Sequence, residues 1–194
     1  MSNPRSSSDP EQKEVDRCIY LFRQGRLEKT VIQVESLLAE YSKSIILYEI
    51  LGAAYLGLGK QKETIVTYQK LLDLKEDHSD AHNNLGKVFY ENGNFAKAVD
   101  HYQKAVEADP SFSDAYFNLG NSLFQMGDLR NAIESYKKSL EIAPEDDEVL
   151  NSCGKALETY GDFDQAIKYY THILQIRPNL TNIQEDIDRV TKKK

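Results

Sequence analysis

Residues 81–110 read AHNNLGKVFYENGNFAKAVDHYQKAVEADP, and this stretch contains the pattern that determines the fold. Leu85 begins an apolar series at helical spacing that stops before Gly93, and a second apolar series follows that glycine. Glycine supplies the left-handed conformation that ends a helix. Asn94 can then cap the second helix, and Pro110 prevents that helix from continuing. The stretch therefore predicts two helices joined by a tight turn.

The same hairpin pattern recurs along the chain with a period of 34 residues. In the later turns Asp128 and Asp162 are predicted caps, and Gln165 completes a capping-box spacing with Asp162. We expect each first-helix glycine to face a small residue of the second helix, as Gly120 would face Ala132, with a tyrosine four residues later filling the space between hairpins. The first-helix glycines are Gly52, Gly86, Gly120 and Gly154, and the turn glycines are Gly25, Gly59, Gly93, Gly127 and Gly161.

This period divides nearly the whole chain into repeats. They lie at residues 45–78, 79–112, 113–146 and 147–180, and a degenerate repeat at 11–44 has Cys18 in place of the first-helix glycine. Residues 181–194 are predicted to be a capping helix whose three final lysines form a frayed end. Residues 1–9 are predicted to be a disordered tail, with Asp9 as the cap of the first helix. One superhelical domain would then span residues 10–194.

The pattern resembles the tetratricopeptide repeat, a helix-turn-helix unit defined by these small, aromatic and proline positions. The resemblance implies an all-α fold, a right-handed α-solenoid of tetratricopeptide hairpins with a C-terminal capping helix. A single hairpin cannot bury its apolar face, so the stacking of neighbours makes the core. In this family the first helices line a concave groove in which other proteins are held.

Composition and charge exclude several classes of function. The net charge of −7 argues against nucleic acid as a partner. No apolar run approaches the roughly 20 residues that span a bilayer, and residues 1–10 lack the apolar region of a secretory signal. We therefore expect a cytoplasmic protein that has no membrane partner. Cys18 and Cys153 lie several repeats apart, so we expect buried, reduced thiols.

The residues that most often carry chemistry show no catalytic or metal-binding pattern. The four histidines, His78, His82, His101 and His172, lack metal-ligand spacing and are expected to be packed or half-exposed. Every glycine in a ladder has a structural explanation, so no phosphate loop is predicted. The acidic cluster at residues 145–148 opens a helix and favours capping. We predict no catalytic residue, no cofactor and no metal.

The resemblance assigns the partner-binding positions to the concave face. Asparagines are frequent there, and an asparagine amide can pair with both the N–H and the C=O of an extended peptide. A similar asparagine array lines the repeats of O-linked N-acetylglucosamine transferases. Because asparagine is also common at three of these positions across the family, a helix-surface consensus is the alternative. The predicted site comprises Glu49, Asn83, Asn84, Lys87, Tyr90, Asp114, Phe117, Asn118, Asn121, Gln125, Asn151 and Lys155.

The lining of the predicted groove is acidic, which favours a neutral or basic partner. Its carboxylates are Glu49, Asp80, Glu91, Asp114, Glu148 and Glu158, against Lys87 and Lys155. A subgroup of the family binds the C-terminal carboxylates of chaperones through cationic residues. Here Glu148 and Ser152 stand in place of those cations, so a chaperone tail is not the expected partner.

Three hypotheses for function follow from these observations. The first is a non-enzymatic scaffold that binds a protein or an extended peptide in the concave groove. The second is an N-terminal substrate-targeting module of a larger enzyme, such as a glycosyltransferase. The third is a structural scaffold that associates with itself.

Overall fold

The computed structural model of this chain describes residues 10–194 and shows an all-α fold in that range, as predicted. The predicted N-terminal tail and the Asp9 cap lie outside the described residues. The helices are α1 (Pro10–Arg23), α2 (Leu27–Leu38), α3 (Ile45–Gly57), α4 (Gln61–Leu74), α5 (Ser79–Glu91), α6 (Phe95–Ala108), α7 (Ser113–Gln125), α8 (Leu129–Ile142), α9 (Asp147–Tyr160), α10 (Phe163–Ile176) and α11 (Thr181–Thr191).

The chain forms two compact units that divide between Ala81 and His82. In the first unit α1, α2, α3 and α4 pack in succession, and in the second unit the helices from α6 to α11 do the same. Each unit is therefore a stack of helical hairpins, the arrangement of an α-solenoid. The single domain over residues 10–194 stays a prediction.

The turns between paired helices follow the sequence prediction. All five turn glycines have positive φ values, from 69° at Gly25 to 94° at Gly161. Side chains of the predicted caps accept hydrogen bonds from the next helix, for example Asp162 from the N–H of Gln165 at 3.1 Å. The capping-box prediction is wrong in its second half, because the amide of Gln165 donates to the Asp162 carboxylate at 3.2 Å. The backbone N–H of Asp162 donates to the carbonyl oxygen of Leu157 at 2.9 Å, within the turn. It is therefore not available to the side chain of Gln165.

Each first-helix glycine packs against a tyrosine ring of its own hairpin. An ideal Cβ added to Gly120 would lie 2.6 Å from Cε1 of Tyr136, and the same value holds for Gly86 and Tyr102. The three heavy atoms nearest to that Cβ position all belong to the ring, so Tyr136 is the nearest neighbour of Gly120 there, while the contact with Ala132 and the filling of the space between hairpins stay predictions. The small residue lets the two helices approach, but the space at the glycine is filled by the ring.

Apolar side chains build a core within each unit. In the first unit Cys18, Val34 and Leu47 are buried, and in the second unit Leu150 and Cys153 are buried among the tyrosine rings. Both cysteines are free thiols, as predicted.

The last helix, α11, covers the end of the second unit. It packs on α10 and buries Ile183 and Val190, which confirms the capping helix. The three final lysines lie outside α11, which ends at Thr191. Lys193 forms an ion pair with Glu158 at 2.9 Å and Lys194 pairs with Asp164.

Candidate functional site

Eleven of the predicted site residues lie on α5, α7 and α9 of the second unit, the first helices of their repeats. We call this set the first-helix face. Asn83 is buried and only 4% exposed, whereas Asp114, Gln125 and Lys155 are exposed. Half-buried side chains make up the rest: Asn84, Lys87, Tyr90, Phe117, Asn118, Asn121 and Asn151.

Two asparagines of the first-helix face join neighbouring repeats. Nδ2 of Asn118 on α7 donates a hydrogen bond to Oδ1 of Asn83 on α5, at 3.1 Å. An asparagine side chain has two N–H donors and a carbonyl with two lone pairs, so one bond leaves capacity for more. The structure therefore brings two predicted amides together across adjacent repeats. Within the described residues it does not link Asp114, Gln125 or Lys155 to them by a hydrogen bond.

The first-helix glycine also positions an amide. The ring of Tyr136 lies against Gly120, and its hydroxyl donates to Oδ1 of Asn121 at 2.8 Å. Burial raises the pKa of Tyr136, so the hydroxyl stays a donor at neutral pH. Phe117 on the same helix lies 6.0 Å from the Tyr136 ring, measured between centroids. The glycine period thus fixes the orientation of a site residue as well as the helix packing.

Asn151 on α9 differs from the other amides. Its Oδ1 atom is buried and has no hydrogen-bond partner among the described residues. Because this oxygen has no partner, substitution of Asn151 should not break a hydrogen bond of Oδ1 in the free protein. Asn151 is therefore a position at which a binding role can be tested separately from a folding role.

Glu49 lies in the first unit and is bound within it. Nδ1 of His78 accepts a hydrogen bond from the backbone N–H of Ala81 at 3.2 Å, so Nε2 carries the proton. Nε2 then donates to Oε1 of Glu49 at 2.5 Å. The Glu49 side chain is still 42% exposed, whereas that of His78 is 9% exposed. Sequence reasoning missed this pair because its members are 29 positions apart on different elements.

The predicted acidic balance is weaker in the structure. The side chain of Glu158 is only 10% exposed, and it binds both Arg189 and Lys193 of the C-terminal segment. Burial alone would raise the pKa of Glu158, but hydrogen bonds from Lys193 and Arg189 hold it below its usual value. Of the six lining carboxylates, Glu49 and Glu158 are thus occupied by protein partners.

Other kinds of site are not evident in the part of the chain that the structure describes. No group of three or more potential ligands that could hold a metal ion occurs in residues 10–194. Among the described helices, none is long and apolar enough to cross a membrane.

All of the family models that match this chain describe the same kind of repeat. A model described as TPR repeat matches residues 52–93 and 86–127, and models of the tetratricopeptide repeat match residues 113–146 and 148–180. No curated protein matches the sequence significantly.

Solved structures with the same fold cover most of the chain. The MamA protein is 25% identical, with a TM-score of 0.77 over 85% of this chain and 90% of that one. YrrB, described as a TPR protein with an unusual peptide-binding site, is 20% identical, with a TM-score of 0.75 over 89% of each chain. PilF of Pseudomonas aeruginosa is also 20% identical, with a TM-score of 0.75 over 85% of this chain and 75% of that one. The last two likenesses concern the fold alone.

Proposed function

We propose a binding function for this chain, which belongs to the tetratricopeptide repeat family. The family and the fold support a protein-interaction scaffold. Within that class, we propose a non-enzymatic scaffold whose first-helix face in the second unit binds an extended segment of a protein partner.

The observation that carries this proposal is the hydrogen bond from Asn118 to Asn83. It holds two side-chain amides within 3.1 Å of each other on successive first helices. An extended peptide presents N–H and C=O groups along its length, and an amide can pair with either. Such contacts read the peptide backbone, so the proposed site accepts a range of sequences.

The charged side chains of the first-helix face indicate which partners the site would bind. On the first-helix face and its borders, Glu91, Asp114 and Glu148 are exposed, and Lys87 and Lys155 lie among them. Since Glu158 is neutralised by Arg189 and Lys193, the excess of negative charge on this face is small. We therefore propose a neutral or weakly basic segment, with an affinity that falls only modestly as salt rises.

The test begins with a peptide selected from a random display library against the full chain. Its affinity is then measured by fluorescence anisotropy for the parent protein and for Asn151→Ala and Asn118→Ala. Each lost hydrogen bond should cost about 0.5–1.5 kcal/mol of binding free energy. Lys104→Ala with Lys138→Ala is the matched control, because both lysines lie on exposed faces of second helices, α6 and α8.

The two asparagine variants differ in their expected effect on folding. Asn118→Ala leaves the buried Oδ1 of Asn83 without this donor, which costs about 1–3 kcal/mol of stability. Asn151→Ala breaks no hydrogen bond of its Oδ1, so a loss of affinity there would not reflect unfolding. If the lysine pair abolishes binding while both asparagine variants bind normally, the site is not on the first-helix face.

A further inference from the structure

The first unit contains a groove between its second helices, α2 and α4, with α3 as its floor. The groove has a volume of about 580 Å³, within the range of about 300–1,000 Å³ found for ligand pockets. Its floor includes Tyr48, Leu51 and Tyr55, and α4 contributes Val66 and Thr67. All of these residues belong to repeats, so each has a counterpart 34 positions further on.

In the third repeat, the residue equivalent to Thr67 has a ring as its side chain. This residue is His101, whose Nδ1 lies 3.1 Å from Nδ1 of His82. Its ring also stacks on Phe89, at 5.3 Å between centroids and an interplanar angle of 14°. His82 and Phe89 are the counterparts of Tyr48 and Tyr55. The His101 ring therefore contacts the side chains that correspond to the groove floor in the first unit.

The fifth repeat shows the same arrangement with a different ring. Tyr169 is its counterpart of Thr67, and it packs against the buried cluster that contains Cys153. Cys153 is the counterpart of Leu51 on the groove floor. Two repeats thus direct a ring of their own onto this floor.

The fourth repeat has a small residue instead, Ser135. Here a cavity of about 390 Å³ lies over Tyr116, Leu119 and Leu123, the counterparts of Tyr48, Leu51 and Tyr55. The residue at the Thr67 position therefore determines whether a ring of the same repeat covers the floor.

The groove of the first unit has a more apolar wall than that of the fourth repeat. Val66 is 55% exposed and lines the groove, whereas its counterpart in the fourth repeat is the carboxylate Glu134. Both signs of charge also line the groove, through Glu35 and Glu63 and through Lys62 and Lys70. An apolar surface that is bordered by charges of both signs suits a ring that is carried on a polar backbone.

We propose that this groove binds an aromatic side chain of a protein partner, at the position that His101 and Tyr169 occupy in their own repeats. The bound ring packs on Leu51 and against the rings of Tyr48 and Tyr55. The volume exceeds that of one ring, so residues that flank the ring in the partner chain fill the rest. This site lies between second helices of the first unit, over α3, and shares no residue with the first-helix face.

A hydrogen bond shapes one side of the groove. The hydroxyl of Tyr55 donates to Oε1 of Glu35 at 2.5 Å. Burial and this hydrogen bond raise the pKa of Tyr55 to about 12, so the hydroxyl stays protonated at neutral pH. The Tyr55 ring is therefore held in one orientation and forms a fixed part of the groove lining.

The experiment titrates the full chain with acetyl-Ala-Ala-Tyr-Ala-Ala-amide and follows backbone amide signals by NMR. We expect saturable shifts in α2, α3 and α4, and none with the all-alanine peptide. Thr67→Tyr supplies the ring from within, as in the fifth repeat, and should weaken binding about tenfold or more. Thr67→Val preserves the space and should change the affinity by no more than about twofold.

A second variant keeps the test decisive if Thr67→Tyr does not fold. Val66→Glu places the fourth-repeat residue at an exposed position, and it should weaken tyrosyl-peptide binding in a folded protein. The proposal is overturned if the tyrosyl peptide binds no better than the alanine peptide, or if both groove variants bind it normally. A free phenol, p-cresol, that binds as tightly as the peptide would overturn the assignment to a protein partner.

Discussion

Replacing Gly120 by alanine should destabilise the protein, although alanine is normally the better helix residue. In an unconstrained helix this substitution stabilises by about 1 kcal/mol. Here the added Cβ would lie 2.6 Å from Cε1 of Tyr136 and 2.7 Å from Cδ1. The Tyr136 side chain is buried, at 1% exposure, and its hydroxyl is bound to Asn121. The ring can therefore move only by disturbing its surroundings.

The expected magnitude follows from three contributions. Overpacking in a close-packed core costs about 1–3 kcal/mol, and loss of the hydrogen bond from Tyr136 to Asn121 adds about 0.5–1.5 kcal/mol. The gain in helix propensity offsets about 1 kcal/mol of this. We expect a net loss of about 0.5–3.5 kcal/mol in the free energy of unfolding, and a larger loss for Gly120→Leu.

Equilibrium unfolding in urea measures the effect, and two further variants identify its cause. In a protein that already carries Tyr136→Leu, adding Gly120→Ala should be neutral or stabilising, because the ring is gone. Gly57→Ala is a matched control, since its Cβ would meet only the end of the Leu27 side chain, at 2.8 Å, which can turn away. A Gly120→Ala protein as stable as the parent would show that the contact between glycine and ring does not limit packing.

Three further predictions concern stability. Burial and the neighbouring His82 lower the pKa of His101 to about 4, below the value near 6.5 in an unfolded chain, so stability should be lost as pH falls from about 6.5 to 4. The urea midpoint of the parent should fall over that pH range, and His101→Gln should make the midpoint depend less on pH. An equally steep pH dependence in the variant would contradict this. Arg189→Ala removes a partner of Glu158 and should speed hydrogen exchange in α11 while leaving α7 unchanged. Exchange in the parent should be fastest in residues 11–44 and slowest around residues 85–136, and uniform protection would count against a repeat array.

Much of the fold could be predicted from the sequence because its determinants are local. A turn glycine such as Gly93 must reach positive φ whatever surrounds it, and Asn94 caps the helix that begins next to it. The period then extends one hairpin to the whole chain. Such signals depend on a few neighbouring residues, and they are present in the sequence itself.

The contacts between helices could not be predicted in the same way. That the Tyr136 ring is the nearest neighbour of Gly120 depends on the crossing of two helices, which residue spacing does not determine. The pairs of Glu49 with His78 and of Glu158 with Arg189 likewise join residues about 30 positions apart. Sequence reasoning identified positions that could bind a partner, but it could not show which side chains were already bound within the protein.

One signal in the sequence distinguishes the repeats at the groove. Aligning the repeats at the Thr67 position gives threonine, histidine, serine and tyrosine in repeats two to five. The two repeats with a small residue have cavities of about 580 and 390 Å³ over the floor, and the other two carry an internal ring at this position. Comparing repeats with one another is thus informative where a single repeat is not.

The most direct test of the proposed binding site follows the side-chain amide signals of asparagine by NMR as the library-selected peptide is added. We expect the signals of Asn83, Asn118, Asn121 and Asn151 to shift together and to saturate with the affinity measured by anisotropy. Backbone signals of α6 and α8 around Lys104 and Lys138 should stay in place. If the peptide saturates the protein while the asparagine signals do not move and those of α6 and α8 do, the first-helix face is not the binding site.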